Sequence, residues 1–214
     1  SPHAVRHAMA ALDYQETINY SFVEERWEQQ LAGNPDPIRV LNPIAAPLAV
    51  MRSSLVGSLL GVLHYNLARR AGRVRVFEVG RVFRRDAGVP DSGTTVAGVN
   101  QPMRLGALAY GPAVQAQWGA KERSVDFFDL KGDIEALLAP RKPAFIPDTH
   151  PALHPGRCAR IELDGRPIGH VGELHPQWRQ AYELPAAPLL CELDLDAVLA
   201  RDLPLALPVP KHQS

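Results

Sequence analysis

The stretch MRSSLVGSLLGVLHYNLARRAGRVRVFEVGRVFRRD, residues 51–86, decides the fold of this chain. Ser53 and Ser54 are candidate N-caps of a helix in its first half. The apolar residues of this helix recur at helical spacing: Leu55, Leu59, Val62, Leu63 and Leu67. A turn then leads into a strand over 74–83, which ends in the charged sequence FRRD at 83–86. A strand end that delivers an arginine and a carboxylate beside a sheet can hold a phosphate and an amine.

On the N-terminal side of this stretch, the sequence predicts a helix over 5–12 and an alternating strand over 15–23. A polar helix over 24–31 should end at Gly33, because glycine often ends helices. A further strand is predicted over 38–42, where the chain runs into a proline. The alternation over 15–23 implies that one face of that strand is covered.

On the C-terminal side, strands and helices continue without a regular βαβ alternation. The predicted elements are a strand over 103–111, a helix beginning at Asp126 or Asp129, a hairpin over 159–174, a short helix over 175–182 and a strand that continues into a helix over 188–200. Asp164 followed by Gly165 is a strong signal for a two-residue hairpin turn. Together these elements predict an α+β fold, with an antiparallel sheet flanked by helices.

The composition is that of a globular chain without a global charge. Its 214 residues carry 23 basic and 23 acidic side chains, so no overall field attracts nucleic acid or an anionic membrane. No apolar run approaches the roughly 20 residues that span a bilayer, and no export segment opens the chain. We therefore expect a cytoplasmic protein with no membrane contact, in which Cys158 and Cys191 stay free thiols.

The ends of the sequence suggest an excised piece of a longer polypeptide. The chain begins at Ser1 without a methionine and closes on the proline-punctuated LPLALPVPKHQS. We expect one core domain over residues 1–202, followed by a linker over 203–214 that leads to a further domain.

A run of segments, in order along most of the chain, carries a resemblance to a known family. They are LDYQETINYSFV at 12–23, YNLARR at 65–70, VRVFEVGRVFRRD at 74–86, DFFDLKGDIEALL at 126–138, LHPGRCARI at 153–161, IGHVGELHP at 168–176 and CELDLDAVL at 191–199. They resemble the catalytic-like core module of the β subunit of bacterial phenylalanyl-tRNA synthetases. That module has the class II synthetase fold without a working active site.

The resemblance implies a scaffolding role rather than chemistry. In that family the α subunit activates the amino acid, and the subunits assemble as an (αβ)₂ enzyme. The implied partners of this chain are the α subunit and, in the whole complex, tRNA. ATP and magnesium are expected for the whole enzyme, but no cofactor is expected in this chain. The linker over 203–214 resembles the family's connector to an anticodon-binding domain.

The charged strand end resembles part of an ATP site. Phe83, Arg84 and Asp86 match the second signature motif of class II synthetases, in which the arginine grips the ATP α-phosphate. The last strand-to-helix junction should then supply glycines and an arginine, but it presents carboxylates over Glu192–Asp196. Carboxylates at a helix N-terminus occupy its amides and repel phosphate. We therefore predict no catalytic residues; the alternatives are a module that binds the tRNA backbone and an active class II adenylating enzyme.

Arginines crowd the interval between the predicted helix and the charged strand end. The cluster consists of Arg69, Arg70, Arg73, Arg75, Arg81, Arg84 and Arg85. A solvated or salt-bridged face is one explanation of this cluster. The other is a binding surface, for an acidic partner or for the tRNA backbone. The candidate contacts are Arg69, Arg70, Arg73, Arg84 and Arg85. The resemblance favours the subunit contact.

His150, His154 and Cys158 have a four-residue spacing that can indicate zinc. Prolines at 151 and 155 prevent the regular helix that would align them, so we predict a structural loop with a type II turn at Pro155 and Gly156.

Asp126, Asp129 and Asp133 could be taken for a cation cluster, but Lys131 lies among them and helix capping explains at least one. Neither cysteine has a histidine partner at a telling distance for nucleophilic catalysis. We therefore predict no metal site and no cysteine nucleophile.

Overall fold

The computed structural model describes residues 1–115, 118–119 and 121–200. The helices in these ranges are α1 (Pro2–Ala11), α2 (Glu25–Trp27), α3 (Val56–Ala68), α4 (Phe127–Leu138), α5 (Pro176–Ala181) and α6 (Leu195–Leu199), and a π-helical turn over Glu28–Ala32 continues α2. Within the described ranges, none of the helices has the length and apolar character needed to cross a membrane. The predicted linker over 203–214 lies outside the described residues, as do the last two residues of the predicted domain.

Seven strands form the main sheet. In spatial order they are β1 (Gln15–Glu16), β4 (Val74–Arg81), β7 (Met103–Tyr110), β11 (Leu189–Asp194), β10 (Arg166–Leu174), β9 (Leu153–Leu163) and β8 (Ala144–Pro147). Two small ribbons accompany it: β2 (Phe22–Val23) pairs with β3 (Val50–Met51), and β5 (Arg84–Arg85) pairs with β6 (Val99–Asn100). Neighbours in the main sheet are antiparallel, except β1 and β4, which run parallel. The predicted α+β fold is confirmed, with one parallel edge strand added.

Helices cover both faces of the main sheet. α1, α4 and α6 pack on one face, and α3 packs on the other, against β4, β7 and β11. Leu130 and Ile134 of α4 belong to the first core, whereas Leu59 and Leu63 of α3 belong to the second. The central strands are therefore buried from both sides, and α3 fixes where polar side chains can reach the sheet.

Local sequence signals set several of these boundaries. Asp126 begins α4 in a capping box: its carboxylate accepts the N–H of Asp129 at 3.1 Å, and that of Asp129 accepts the N–H of Asp126 at 2.8 Å. Asp164 and Gly165 form the turn between β9 and β10, with φ angles of 51° and 76°. Gly33 ends the π-helical turn at a φ of 64°. All three predictions are confirmed.

The predicted strand over 15–23 is wrong, because only its ends are paired, as β1 and β2. Asn19 lies between them, and the Glu78 carboxylate accepts both its backbone N–H, at 3.2 Å, and its side-chain amide N–H, at 3.0 Å. Asn19 therefore faces the protein, while Ile18 and Tyr20 are exposed. A buried carboxylate that needs donors has overridden the hydrophobic pattern.

Three further predictions differ from the structure. The segment over 38–42 makes one bridge, between Arg39 and Val50, and is not a strand. The helix over 24–31 is divided into α2 and the π-helical turn. The turn predicted at Pro155 and Gly156 is wrong, because both residues lie within β9. An irregularity in the pairing with β10 accommodates the proline there.

Candidate functional site

Polar side chains cross one face of the main sheet beside the N-terminal end of α3. The strand register places Glu78 of β4, Gly106 of β7, Glu192 of β11, His170 of β10 and Arg160 of β9 next to one another. Residues paired across neighbouring strands share a face of the sheet. This is the α3 face, because Glu192 binds the start of that helix. The four polar members are termed the polar row.

The polar row meets the serine segment, residues 51–55, through which the chain enters α3. Glu78 binds the Nη1 of Arg52 at 2.9 Å. Glu28, from the π-helical turn, accepts the backbone N–H of Ser53 at 2.9 Å and its hydroxyl at 2.5 Å. Three carboxylates from distant parts of the chain therefore hold this segment: Glu78 on β4, Glu28 on the π-helical turn and Glu192 on β11.

The ion pair between Arg52 and Glu78 is almost completely removed from solvent, since each residue is only 2% exposed. The Arg52 guanidinium also donates to the carbonyl oxygen of Arg81 at 3.0 Å and to the hydroxyl of Ser58 at 3.2 Å. Gly80 gives it room, because a Cβ there would lie 2.4 Å from the Arg52 Nη2. The pair is therefore built into the core and is not available to a ligand.

Glu192 occupies the N-terminal end of α3. Its carboxylate accepts the backbone N–H of Leu55 at 2.9 Å and the hydroxyl of Ser54 at 2.8 Å. Free N–H groups at a helix N-terminus form a natural anion site. In this chain a side-chain carboxylate binds the N–H of Leu55, the residue just before α3.

The strand-to-helix junction after β11 carries carboxylates, as the sequence indicates. Asp194 binds the Nη1 of Arg104 at 3.0 Å, and Asp196 lies in the first turn of α6. Asp194 stands at the N-cap position of α6 without a side-chain hydrogen bond to that helix. Among the described residues, the Nε of Arg104 is a buried nitrogen without a hydrogen-bond partner.

Histidines lie at the other end of the polar row. The rings of His150 and His170 are 5.1 Å apart, and the Nε2 of His170 lies 3.0 Å from the Asp148 carboxylate, which also binds Arg160 at 3.4 Å. Burial, followed by the charges of His170 and Arg84, lowers the pKa of His150 to about 4. Its Nδ1 accepts the N–H of Ala152 at 3.1 Å, so the neutral ring is held by the fold.

The charged strand end lies beyond β4, outside the main sheet. Arg84 and Arg85 lie in the small ribbon of β5 and β6, and both are exposed. Arg85 pairs with Asp36 at 3.1 Å. Asp86 accepts the N–H of Gly88 at 2.9 Å and so closes a local turn. In the part of the chain that the structure describes, Arg84 makes no side-chain hydrogen bond or ion pair.

Several other arginines of the cluster are bound within the fold. Arg73 pairs with Asp13 at 2.8 Å and donates to the carbonyl of Pro112 at 3.1 Å. Arg75 is buried and donates to the carbonyl oxygens of Tyr110 and Pro112, at 2.9 and 2.8 Å. Arg69 and Arg70 remain exposed at the end of α3. The structure thus divides the sequence cluster and does not gather it into one patch.

The histidine and cysteine candidates do not converge. His154 accepts the N–H of Gly156 at 3.0 Å, a local contact within β9. Burial raises the pKa of Cys158 to about 11 and that of Cys191 to about 12, which disfavours their thiolates. Over residues 1–115, 118–119 and 121–200, no group of three His, Cys, Asp or Glu side chains is arranged to hold a metal ion.

The three aspartates near α4 each have a partner in the protein. Arg123 binds Asp129 at 2.7 Å, and this hydrogen bond is the largest cause that lowers the Asp129 pKa to about 2. Asp126 completes the capping box. Asp133 accepts the hydroxyl of Tyr14 at 2.7 Å, while burial raises its pKa. Ion pairing and capping account for these carboxylates.

The sequence reasoning missed the roles of Glu28, Arg52 and Glu78 in this site. The signal was available for two of them, because Arg52 and Glu78 interrupt apolar segments and a buried charge requires a partner. Their partners could not be read from the spacing, since Ser53 and Glu28 are 25 residues apart and Arg52 and Glu78 are 26 apart.

Comparison with known proteins identifies what the chain is similar to. A family model described as "Phenylalanyl tRNA synthetase beta chain CLM domain" matches residues 2–195. The phenylalanine–tRNA ligase beta subunit of Cupriavidus pinatubonensis is 60% identical over 99% of this chain, and that of Bordetella pertussis is 55% identical over 94%. This chain spans 26% and 25% of those two relatives, respectively.

A solved structure is similar to the fold. The chain resembles a pyrrolysyl tRNA synthetase of Desulfitobacterium hafniense with a TM-score of 0.63, over 93% of this chain and 66% of that one. The two share 11% sequence identity, so the likeness is one of fold.

Proposed function

Since this chain belongs to the phenylalanyl-tRNA synthetase beta chain family, we propose that it acts as a non-catalytic structural module of phenylalanine–tRNA ligase. The whole enzyme joins phenylalanine to its tRNA with ATP and magnesium, and we assign that chemistry to the α subunit. This chain contributes a class II synthetase fold and a contact surface for the α subunit, within an (αβ)₂ assembly in the cytoplasm.

The internal pairing of the polar row supports the non-catalytic role. An ATP site needs guanidinium groups free to meet phosphates and a helix N-terminus open to them. In this chain Arg52 is bound to Glu78 in the core, and the Glu192 carboxylate lies at the start of α3, where it binds the Leu55 N–H and would repel phosphate. The residues on this face of the sheet therefore do not fit ATP.

Calorimetry of the chain with ATP and magnesium tests this role. We expect no saturable heat, because carboxylates already bind Arg52 and the Leu55 N–H, which leaves the exposed Arg84 without these supporting donors. Saturable binding with a dissociation constant of roughly micromolar size, lost in Arg84→Ala, would instead support an active adenylating enzyme. Arg84→Ala is informative because this side chain is exposed, so its loss leaves the core unchanged.

Exposed apolar side chains between β1 and α3 support the contact surface. They are Ile18, Tyr20, Leu41 and Ile44, which are 70% to 96% exposed. Their segments are fixed to the body of the protein, because the N–H of Arg52 binds the carbonyl of Ser21 at 2.9 Å and the N–H of Met51 binds that of Ile38 at 2.8 Å. Large apolar side chains held outward on a fixed backbone are typical of a protein interface.

Co-expression with a catalytic α subunit tests the contact surface. We expect the two chains to elute together in size-exclusion chromatography, and Ile18→Asp and Ile44→Asp to weaken that association because each places a charge in an apolar contact. Phe128→Asp is the matched control, since Phe128 is 72% exposed but lies on α4. Equal loss with all three variants, or no loss with any, would contradict the assignment. Aminoacylation by the recovered complex shows whether assembly supports activity.

A further inference from the structure

The C-terminal end of α3 presents an arginine stacked on an exposed aromatic ring. The guanidinium carbon of Arg69 lies 3.5 Å from the centroid of the Tyr65 ring, and the tyrosine is 56% exposed. Arg70 follows, also exposed. Within the described ranges, neither arginine has a carboxylate within ion-pairing distance. Arg69 and Arg70 are termed the helix-end pair.

The helix-end pair is not needed to close the helix. The N–H of Arg70 binds the carbonyl of Leu67 at 2.9 Å, and the N–H of Ala71 binds that of Asn66 at 3.0 Å, so the backbone satisfies its own last turn. The Arg69 side chain instead folds back one turn, over Tyr65.

Arg141, by contrast, uses its side chain to bind the end of a helix. The guanidinium of Arg141 donates to the carbonyl oxygens of Ala197, Val198 and Ala200 at the end of α6, at 2.7, 2.7 and 2.6 Å. In the described part of the chain, the helix-end pair makes no such bonds. The Tyr65 ring, one turn earlier on α3, is the contact that holds Arg69, and within the described residues the fold leaves the N–H donors of both guanidinium groups unused.

A groove of about 430 Å³ runs beside Tyr65, between α3 and the edge of the sheet. Gln15, Thr17 and Asn66 contribute neutral hydrogen-bonding groups to its lining, and Val62 and Val76 contribute apolar ones. The Glu16 carboxylate also lines the groove and is paired with Arg6 at 2.8 Å. Successive residues of an extended chain point in opposite directions, so Ile18 is directed away from the groove that Thr17 lines. The groove thus combines polar and apolar groups, whereas the surface proposed for the α subunit is apolar.

We propose that Tyr65 and the helix-end pair bind the phosphate backbone of RNA. One face of the Arg69 guanidinium rests on the tyrosine ring, which leaves its outer face and its N–H edge open. Such a guanidinium can donate two hydrogen bonds to phosphate oxygens or stack on a base. The neutral hydrogen-bonding groups in the adjoining groove can bind ribose hydroxyls. This inference does not depend on the non-catalytic role.

Fluorescence anisotropy with labelled unfractionated tRNA, over a series of KCl concentrations, tests the proposal. Arg69→Gln combined with Arg70→Gln should weaken binding about tenfold and reduce the slope of log affinity against log salt by roughly 1.5, as expected for two lost phosphate contacts. Tyr65→Leu should weaken tRNA binding, whereas Tyr65→Phe, which keeps the ring, should bind tRNA as the wild type does.

The matched control is Lys142→Gln combined with Arg166→Gln, which removes the same charge from two exposed positions far along the chain. An equal loss in this control would show a non-specific field and overturn the proposal. Unchanged tRNA binding in the helix-end double variant would also overturn it. If that variant instead loses co-elution with the α subunit while binding tRNA normally, the pair contacts an acidic protein surface. Thermal unfolding of each variant confirms that the fold is intact.

Discussion

At the residue scale, Arg52 and Glu78 connect the serine segment to the central sheet through a buried ion pair at 2.9 Å. We predict that Glu78→Gln lowers the free energy of unfolding by about 3 to 5 kcal/mol, because it leaves the guanidinium buried without a counter-charge. Urea denaturation followed by circular dichroism measures this. The same substitution weakens the anchor of Asn19, so it should also loosen the segment that carries the exposed apolar residues.

Glu173→Gln is the control for this prediction, since its partner Arg157 is largely exposed at the surface. An exposed pair contributes about 1 kcal/mol or less, so this variant should unfold close to the wild type. Arg52→Met combined with Glu78→Leu should recover much of the lost stability, because it removes both charges. If Glu78→Gln lowers the free energy of unfolding by less than about 1 kcal/mol, the proposed contribution of the buried ion pair to stability is wrong.

His150 gives a second residue-scale prediction, on pH dependence. Its pKa in the folded protein is about 4, below the ordinary 6.5. The unfolded chain therefore takes up a proton as the pH falls through this window, whereas the folded protein stays neutral at this position, and stability is lost. His150→Asn cannot be protonated, and its amide oxygen can accept the Ala152 N–H. We expect this variant to lose about 3 kcal/mol less stability between pH 7 and pH 4.

Denaturation midpoints of both proteins at a series of pH values check the histidine prediction. At pH 8 the wild-type ring is neutral in both states, so the two proteins can be compared there without the titration. Parallel stability curves for wild type and variant from pH 8 to pH 4 would show that His150 does not carry the acid sensitivity.

At the element scale, the helices α1, α3 and α5 end in the same way. The residue after each helix cap has a positive φ and is not glycine: Asp13, Arg70 and Glu183, at 73°, 61° and 53°. Glycine adopts this conformation without the Cβ penalty, which is about 1 to 2 kcal/mol for other residues. We predict that Arg70→Gly and Glu183→Gly each raise the free energy of unfolding by about 0.5 to 1 kcal/mol.

Asp13→Gly is the informative comparison, because it relieves the same conformation but removes the partner of Arg73. It should therefore gain less than the other two glycine variants in thermal unfolding. Arg70→Gly also separates stability from binding: the variant should be more stable and yet bind tRNA more weakly. A loss of stability in both Arg70→Gly and Glu183→Gly would contradict the account of these helix ends.

Which elements could be predicted depends on where their determinants lie. The start of α4 and the turn at Asp164 and Gly165 were predictable, because residues one to three positions apart determine them. The segment over 15–23 was not, because its path depends on Glu78, which is 59 residues from Asn19. The candidate site could not be predicted from the sequence for the same reason. The serine segment meets its carboxylates only when β4, β11 and the π-helical turn come together in the fold.

At the scale of the whole molecule, one sheet separates two hydrophobic cores. Leu130 on the α4 side and Leu59 on the α3 side are both almost completely buried. The central strands contribute to both cores, so loss of one core exposes strands on which the other depends. This arrangement leads us to expect one cooperative unit over the described core, in keeping with the single domain predicted over 1–202.

We predict that Leu59→Ala and Leu130→Ala each lower the free energy of unfolding by about 2 to 5 kcal/mol with an unchanged denaturant slope. Hydrogen exchange gives the decisive measurement. In a single cooperative unit, Leu130→Ala also reduces protection of the slowest amides in α3, and Leu59→Ala reduces it in α4. Val62→Ala, at a half-buried position on α3, is the control for local effects. If each substitution reduces protection on its own side alone, the sheet separates two cooperative units and the single-domain prediction is wrong.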